Sequence, residues 1–235
     1  MYRKRYRAIF FDAGGTLFRP NPSVGAIYAR VAGKYGMQAD PLEVERFFRE
    51  EFSKRDKQVA LTAHASEKNE KTWWRNLVRE VFKKVCELRR FDNFFEELYD
   101  LFARAEVWQL YPEAFGLLEE LREKKFTLGI ISNWDSRLFS ICEEMKVKKF
   151  FHFILASAVV GSAKPDQGIF KVALKLAKAK PEEALHVGDS VENDFWGARG
   201  VGIDALFINR NGREVDGVSS IHSLREVLNY VSYHD

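Results

Sequence analysis

The sequence predicts an α/β protein, a doubly wound and mostly parallel sheet with an all-helical domain inserted near its start. Three observations carry this. After about residue 105, short apolar runs recur, each followed by a helical pattern. Near the N-terminus another apolar run, Ala8-Ile9-Phe10-Phe11, ends on one aspartate and a pair of glycines. Between them, residues 20–105 show helical stripes and no convincing strand. Strands that alternate with helices point to a parallel sheet covered on both faces.

The elements follow in order. The first strand is expected over residues 7–12. Four amphipathic stripes then make the insertion: Val24, Ile27, Tyr28, Val31 and Tyr35; Val44, Phe47, Phe48 and Phe52; Trp74, Leu77, Val78, Val81 and Val85; and Phe91, Phe94, Phe95, Leu98 and Phe102. The polar stretch from Asp56 to Glu70 reads as a loop between the second and third stripes. Further strands are expected at 126–131, 153–156, 184–187 and 205–208, bounded by turn residues. The helices between them carry Leu117, Leu118 and Leu121, then Ile169, Phe170, Ala173, Leu174 and Ala177, and last Leu224, Val227, Leu228 and Val231. The domains are therefore 1–19 with 108–235 as the α/β core, and 20–107 as the helical insertion. No internal repeat or low-complexity tract is present.

Composition narrows the function classes. The chain has 235 residues and is 46% hydrophobic, enough for a substantial core. A net charge of +3 from 37 basic and 34 acidic residues gives no clustered basic excess, so no nucleic-acid partner is expected. The basic start, Met1 to Arg7, precedes too few apolar residues for a signal peptide or a membrane span. Cys86 and Cys142 form no C-x-x-C pair and are read as structural thiols within amphipathic helices. A cytoplasmic monomer without membrane contact is the default expectation.

Four short motifs fall at the ends of predicted parallel strands, and so at one edge of the sheet. They are Asp12-Ala13-Gly14-Gly15-Thr16, Ser132-Asn133-Trp134-Asp135, Lys164-Pro165-Asp166, and Gly188-Asp189 with Asp194 five residues on. Asp12 and Asp189 are hard oxygen ligands that repel one another unless a cation lies between them, and Mg²⁺ suits such a pair beside phosphate and water. Lys164 offers a positive charge to a transferring phosphoryl group. Ser132 offers a hydroxyl, and Asn133 is expected at a helix N-terminus, where amides bind anions. Gly14 and Gly15 permit close backbone approach. The set suits phosphoryl transfer, which depends on positioning and charge neutralisation.

FFDAGGTLF, IISNWD, SAKPDQGIF and HVGDSVENDFWGAR together resemble the four motifs of the haloacid dehalogenase superfamily, in the group with a helical cap inserted after the first motif. The resemblance covers essentially the whole chain. TWWRNLV within the insertion is similar to the subgroup typified by the product of the rhythmically expressed gene 2. The resemblance implies a Rossmann-like core and a hydrolase acting on a small phosphorylated metabolite. It implies Asp12 as the nucleophile that becomes an aspartyl-phosphate, with Mg²⁺ held by Asp12, the Gly14 carbonyl and Asp189. Ser132 and Lys164 would hold phosphoryl oxygens, Asp194 would orient Lys164 or support the metal, and the Ala13 and Gly15 amides would join the oxyanion cradle.

One position departs from the family's phosphatases. The residue two after their nucleophile is usually a second aspartate, which protonates the leaving alcohol; here it is Gly14. Losing a positioned acid/base costs about 10²–10⁴-fold in rate. Four readings follow. The first is a Mg²⁺-dependent phosphatase that selects good leaving groups or borrows an acid, with His64, Arg30 and Arg75 as candidates. The second is a 2-haloacid dehalogenase, whose halide needs no proton but whose family members lack an acid at the position of Asp189. The third is a phosphonoacetaldehyde hydrolase, which needs a cap lysine such as Lys34, Lys54 or Lys57. The fourth is a binding module without turnover. Trp134 is expected to face substrate, one of Trp73 and Trp74 is expected to face the cap core and the other the substrate pocket or a partner surface, and Trp196 lies near the pocket by sequence. Hinges for the cap are expected near Arg19-Pro20 and Gln109–Pro112.

Overall fold

The computed structural model describes residues 4–59, 65–87, 89–212 and 215–232. The first strand, β1 (Ala8–Phe11), has four apolar residues and is buried at every position. Ile9 and Phe11 enter one core cluster while Ala8 and Phe10 enter another on the opposite face. A strand covered on both sides needs apolar residues throughout, which is why this run does not alternate.

After β1 come β2 (Phe18–Pro20), the helices α1 (Val24–Lys34), α2 (Pro41–Val59), α3 (Glu67–Lys83) and α4 (Phe91–Leu101), and β3 (Trp108–Leu110). The core resumes with α5 (Ala114–Glu123), β4 (Thr127–Ser132), α6 (Arg137–Glu144), β5 (Phe153–Ala156), α7 (Ser157–Val160), α8 (Gln167–Ala177) and β6 (Ala184–Gly188). A π-helical turn at Val191–Trp196 leads into α9 (Gly197–Arg199), β7 (Asp204–Ile208) and β8 (Ser220–Ile221).

Six strands form one sheet in the order β5-β4-β1-β6-β7-β8, and every pairing is parallel. The chain winds outward through β4 and β5, then returns to the other side of β1. This is the doubly wound Rossmann-like order, and its reversal lies between β1 and β6, where open α/β sheets place ligands beyond the strand C-termini. Asp12 and Asp189 stand just past the ends of these two strands.

The insertion has its own core. Ile27, Tyr28, Val31, Val78, Val81, Phe82, Phe94, Phe95 and Leu98 pack together, which accounts for the aromatic stripes of the four helices. The two chain crossings into it pair antiparallel, Phe18 with Leu110, Arg19 with Gln109 and Pro20 with Trp108. The expected hinge segments are thus one short ribbon.

Several expectations need correction. Of the 56–70 stretch expected as a loop, 56–59 belong to α2 and 67–70 to α3, whose cap Ser66 accepts through Oγ from the Asn69 amide at 3.2 Å. Sparse apolar residues hid both helix ends, and 60–64, with His64, lies outside the described residues. The last helix is 3₁₀ over Leu224–Asn229, with Leu224 and Val227 buried three apart as that geometry requires, and Val231 bridges to Lys4 instead. Cys142 is buried within α6, whereas Cys86 lies in the turn past α3. Trp73 and Trp74 both join one aromatic cluster with Phe52 rather than dividing between core and pocket. Among the described residues, no helix is long and apolar enough to cross a membrane.

Candidate active site

Asp12 is held from two sides. Ser132 at the end of β4 donates its hydroxyl to Asp12 Oδ1 at 2.9 Å, and Lys164 Nζ donates to the same oxygen at 2.7 Å. Lys164 also reaches Asp194 Oδ1 at 2.5 Å, and all three charged groups are buried. The lysine is positioned by its own backbone: Asn133 donates Nδ2 to the Lys164 carbonyl at 2.8 Å and accepts from its amide at 2.7 Å. This differs from the expected anion-binding place for Asn133. The next helix, α6, begins only at Arg137, and the amide side chain is committed to Lys164.

Asp194 comes from the π-helical turn after β6, where Ser190 and Asp194 secure one another. Ser190 Oγ accepts from the Asn193 amide, while the Ser190 amide donates to Asp194 Oδ2 at 3.0 Å. The wider turn points Asp194 back under Lys164. A β-carbon at Gly188 would fall 2.1 Å from Asp194 Cγ, so the glycine makes room for this carboxyl. His186, fully buried in β6, lies with Nε2 2.9 Å from Asp194 Oδ1. A carboxylate only accepts, so Nε2 carries the proton and Nδ1 is left without a partner.

The charges shift one another. Burial raises Asp12, with Lys164 opposing and Asp194 adding to the rise. Burial would also raise Asp194, but the Lys164 charge and the His186 bond outweigh it and hold the carboxyl below the usual range. Lys164 loses solvation on burial, yet the two carboxylates keep its ammonium firmly charged. Burial lowers His186 and keeps its ring neutral.

Asp189 opens to solvent on one side. Desolvation by the surrounding protein, together with Asp12 and Asp194, pushes its carboxyl well above the usual value. Gly15, at φ +81°, packs directly on it, since a β-carbon there would sit 2.0 Å from Asp189 Oδ2. The Gly15 amide donates to the Phe18 carbonyl at 2.8 Å, so the turn uses the group expected in the oxyanion cradle.

Oxygens of Asp12, Asp189 and Asp194 lie within 4.8 Å of one another. Both Asp194 oxygens are already engaged by Lys164, His186 and the Ser190 amide. Among the described residues no cationic side chain pairs with Asp189. Asp12 and Asp189 are hard donors carrying more negative charge than Lys164 offsets. That donor set fits Mg²⁺.

The sequence reading missed Arg210, beyond β7. Its guanidinium donates to the carbonyls of Gly15 at 3.2 Å and Thr16 at 2.9 Å, pairs with Glu113 at 2.8 Å, and stacks 3.3 Å over the Tyr111 ring. It ties the first motif's turn to the chain returning from the cap. The only sequence signal was its place just after a strand of the active edge.

A second cluster joins cap to core. Asp135, fully buried, accepts from Arg137 through Nε and Nη2 and from Tyr99 of α4 at 2.5 Å, while Arg137 also donates to the Tyr99 carbonyl. Glu67 of α3 accepts from the Ser136 amide at 2.9 Å. The cap's open hollow of about 450 Å³, lined by Glu67, Lys68, Lys71, Thr72, Arg75 and Tyr99, adjoins this cluster rather than Asp12. Of the proposed acid donors, Arg30 is exposed and Arg75 pairs with Asp92. Of the cap lysines, Lys34 pairs with Glu97 and Lys54 with Glu51, and the Lys57 side chain lies outside the described residues. Trp196 lines a separate cavity with Tyr6 and Asp204, toward the opposite edge of the sheet.

Comparison with known proteins agrees with this architecture. Residues 6–202 match the family model of haloacid dehalogenase-like hydrolases. The chain is 30% identical to haloacid dehalogenase-like hydrolase domain-containing protein 3 of Bos taurus, over 88% of this chain and 83% of that one. It is 28% identical to the rhythmically expressed gene 2 protein of Drosophila melanogaster, over 87% and 84%. A HAD phosphatase from Thermococcus onnurineus superposes with a TM-score of 0.67 at 26% identity, covering 96% of this chain and 99% of that one. A solved dehalogenase shares the fold, with a TM-score of 0.71 at 20% identity over 97% and 98%. With the family model spanning most of its length, the chain belongs to the haloacid dehalogenase-like hydrolases.

Proposed function

We propose that this hydrolase is a Mg²⁺-dependent phosphatase acting on a small phosphorylated metabolite through an aspartyl-phosphate on Asp12. The observation that carries the reading is Asp189 beside Asp12, with the buried Lys164 across from them. A site that only displaces halide needs no second carboxylate next to its nucleophile. Asp12, the Gly14 carbonyl and Asp189 would hold the metal, which when bound would supply positive charge to the phosphoryl oxygens.

The chain's own residues do the rest. Ser132 and Lys164 already engage Asp12 Oδ1, which fixes the carboxylate and leaves Oδ2 to attack phosphorus. In the transition state the same hydroxyl and ammonium take up the charge on the phosphoryl oxygens. Asp194 holds Lys164 in place, and His186 holds Asp194.

The test is phosphate release from acetyl phosphate with and without Mg²⁺, using Asp12→Asn as control. Metal-dependent turnover that the variant loses supports the reading. Turnover that survives in the variant sinks it. A 2-haloacid dehalogenase remains the second reading, favoured by the missing side chain at Gly14. Chloride release from 2-chloropropionate without metal would establish it.

A further inference from the structure

Gly14 is more than a missing acid, because an indole stands against it. A β-carbon there would lie 3.0 Å from Trp134 Cζ3 and 3.6 Å from Cη2. Both residues stand two positions past a strand-end group of the site, Trp134 after Ser132 and Gly14 after Asp12. The indole is fixed. Its ring meets Phe18 at 5.9 Å and Trp108 at 5.1 Å between centroids. Its backbone amide donates to Ser157 Oγ at 3.1 Å, and its carbonyl accepts from the Ala158 amide at 3.0 Å. Trp108 continues the contact to Phe102 in the cap, so the wall is braced from both domains.

The carboxyls around it have other work. Asp135 is bound by Arg137 and Tyr99, Asp194 by Lys164 and His186, Glu67 by Ser136 and Glu70 by Trp74. The only imidazole at these strand ends, among the described residues, is His186, buried behind Asp194.

We propose that Trp134 determines the specificity of the site: its indole closes the place beside Gly14 against any acid, and restricts hydrolysis to phosphates whose leaving oxygen departs without a proton, namely acyl phosphates and acidic aryl phosphates. The proposal rests on the phosphatase reading and names its substrate class. In the first step an Asp12 oxygen bonds to phosphorus, the bond from phosphorus to the leaving oxygen breaks, and the electron pair leaves on a carboxylate or phenolate that is stable as the anion. In the second, water adds to phosphorus and the bond to Asp12 breaks. Aspartate returns as its carboxylate, and both water protons leave on dihydrogen phosphate. Neither step requires a proton from position 14. An alkoxide, by contrast, is too basic to depart unprotonated, which is where a loss of about 10²–10⁴-fold falls.

The experiment measures kcat/KM with Mg²⁺ on acetyl phosphate, 4-nitrophenyl phosphate, phenyl phosphate and glycerol phosphate. It compares wild type, Gly14→Asp, Trp134→Ala and the double variant, and takes a melting curve of each. Wild type is expected to fall by ~10²-fold or more from acetyl to glycerol phosphate. Gly14→Asp alone should gain nothing on glycerol phosphate. The double variant should exceed either single variant there by at least ~10-fold. Gly14→Asp should lower the melting temperature by ~2–4 °C more when Trp134 is present than in Trp134→Ala. Turnover that is level across the leaving groups, a gain from Gly14→Asp alone, or additive melting shifts would overturn the proposal while sparing the phosphatase reading. No turnover on any of the four would remove that reading and the proposed substrate class with it.

Discussion

The strand-end pocket and the helical cap both carry many charges, and they hold them in opposite ways. In the pocket, Asp12, Lys164 and Asp194 are almost fully buried, and Lys164 bonds to each carboxylate within 2.7 Å. In the cap the pairs lie at the surface, as with Lys34 and Glu97 or Arg46 and Glu50. Buried charges are costly unless each partner stays in place, whereas exposed pairs contribute little. The pocket is therefore a preorganised device, sensitive to every member. The cap is a scaffold held by its aromatic core, and its surface charges are replaceable.

Substitutions sharpen this contrast, beginning with the largest effect. Lys164→Met leaves two buried carboxylates facing one another. It should cost ~3–5 kcal/mol of stability and ~10²–10³-fold or more in turnover, measured by denaturant unfolding and phosphate release. Next is Arg210→Ala, which frees the carbonyls of Gly15 and Thr16. Titration of Mg²⁺ should show affinity weakened by ~10-fold, as when a support behind a metal ligand is lost. Unchanged affinity would mean that the turn holds itself.

The third substitution probes the border between the two regions. Glu70 of α3 is pushed up to about 7, first by burial and then by the charge of Asp135. Below its usual value of 4.5 the carboxyl is protonated whether the chain is folded or not, and its burial has no pH-dependent cost. As pH rises through 4.5 toward 7, the unfolded chain releases the proton first, and folding loses stability. Glu70→Gln should therefore stabilise the protein by ~1–2 kcal/mol at pH 8, after allowance for partial exposure, and not at pH 4. Equal effects at both pH values would contradict the assignment. The smallest effect belongs to the cap surface, where Lys34→Gln should change unfolding free energy by less than ~0.5 kcal/mol.

The same contrast explains what the sequence disclosed. Asp12, Ser132, Lys164, Asp189 and Asp194 were legible because a parallel sheet brings the ends of its strands to one edge, so chain order alone predicted their convergence. The four cap helices were legible from their aromatic stripes. Contacts between distant loops were not. Arg210 meets Gly15 across 195 positions, and no local pattern encodes that. Nor did local pattern reveal that the Asn133 amide would be committed to Lys164, that the Gly15 amide would serve its own turn, or that Trp134 would occupy the space beside Gly14. The missed ends of α2 and α3 have a simpler cause, a polar surface with too few apolar residues to show a period.

The most direct test of whether an intermediate on Asp12 is opened at phosphorus or at the carboxyl carbon is turnover of acetyl phosphate in ¹⁸O-labelled water, followed by mass analysis of the released phosphate and of the peptide containing Asp12. Hydrolysis of an aspartyl-phosphate by attack at phosphorus predicts labelled phosphate and an unlabelled Asp12 after many turnovers. Label accumulating in the Asp12 carboxylate would mean that water attacks the carboxyl carbon, as an alkyl ester intermediate requires, and would contradict the phosphatase mechanism.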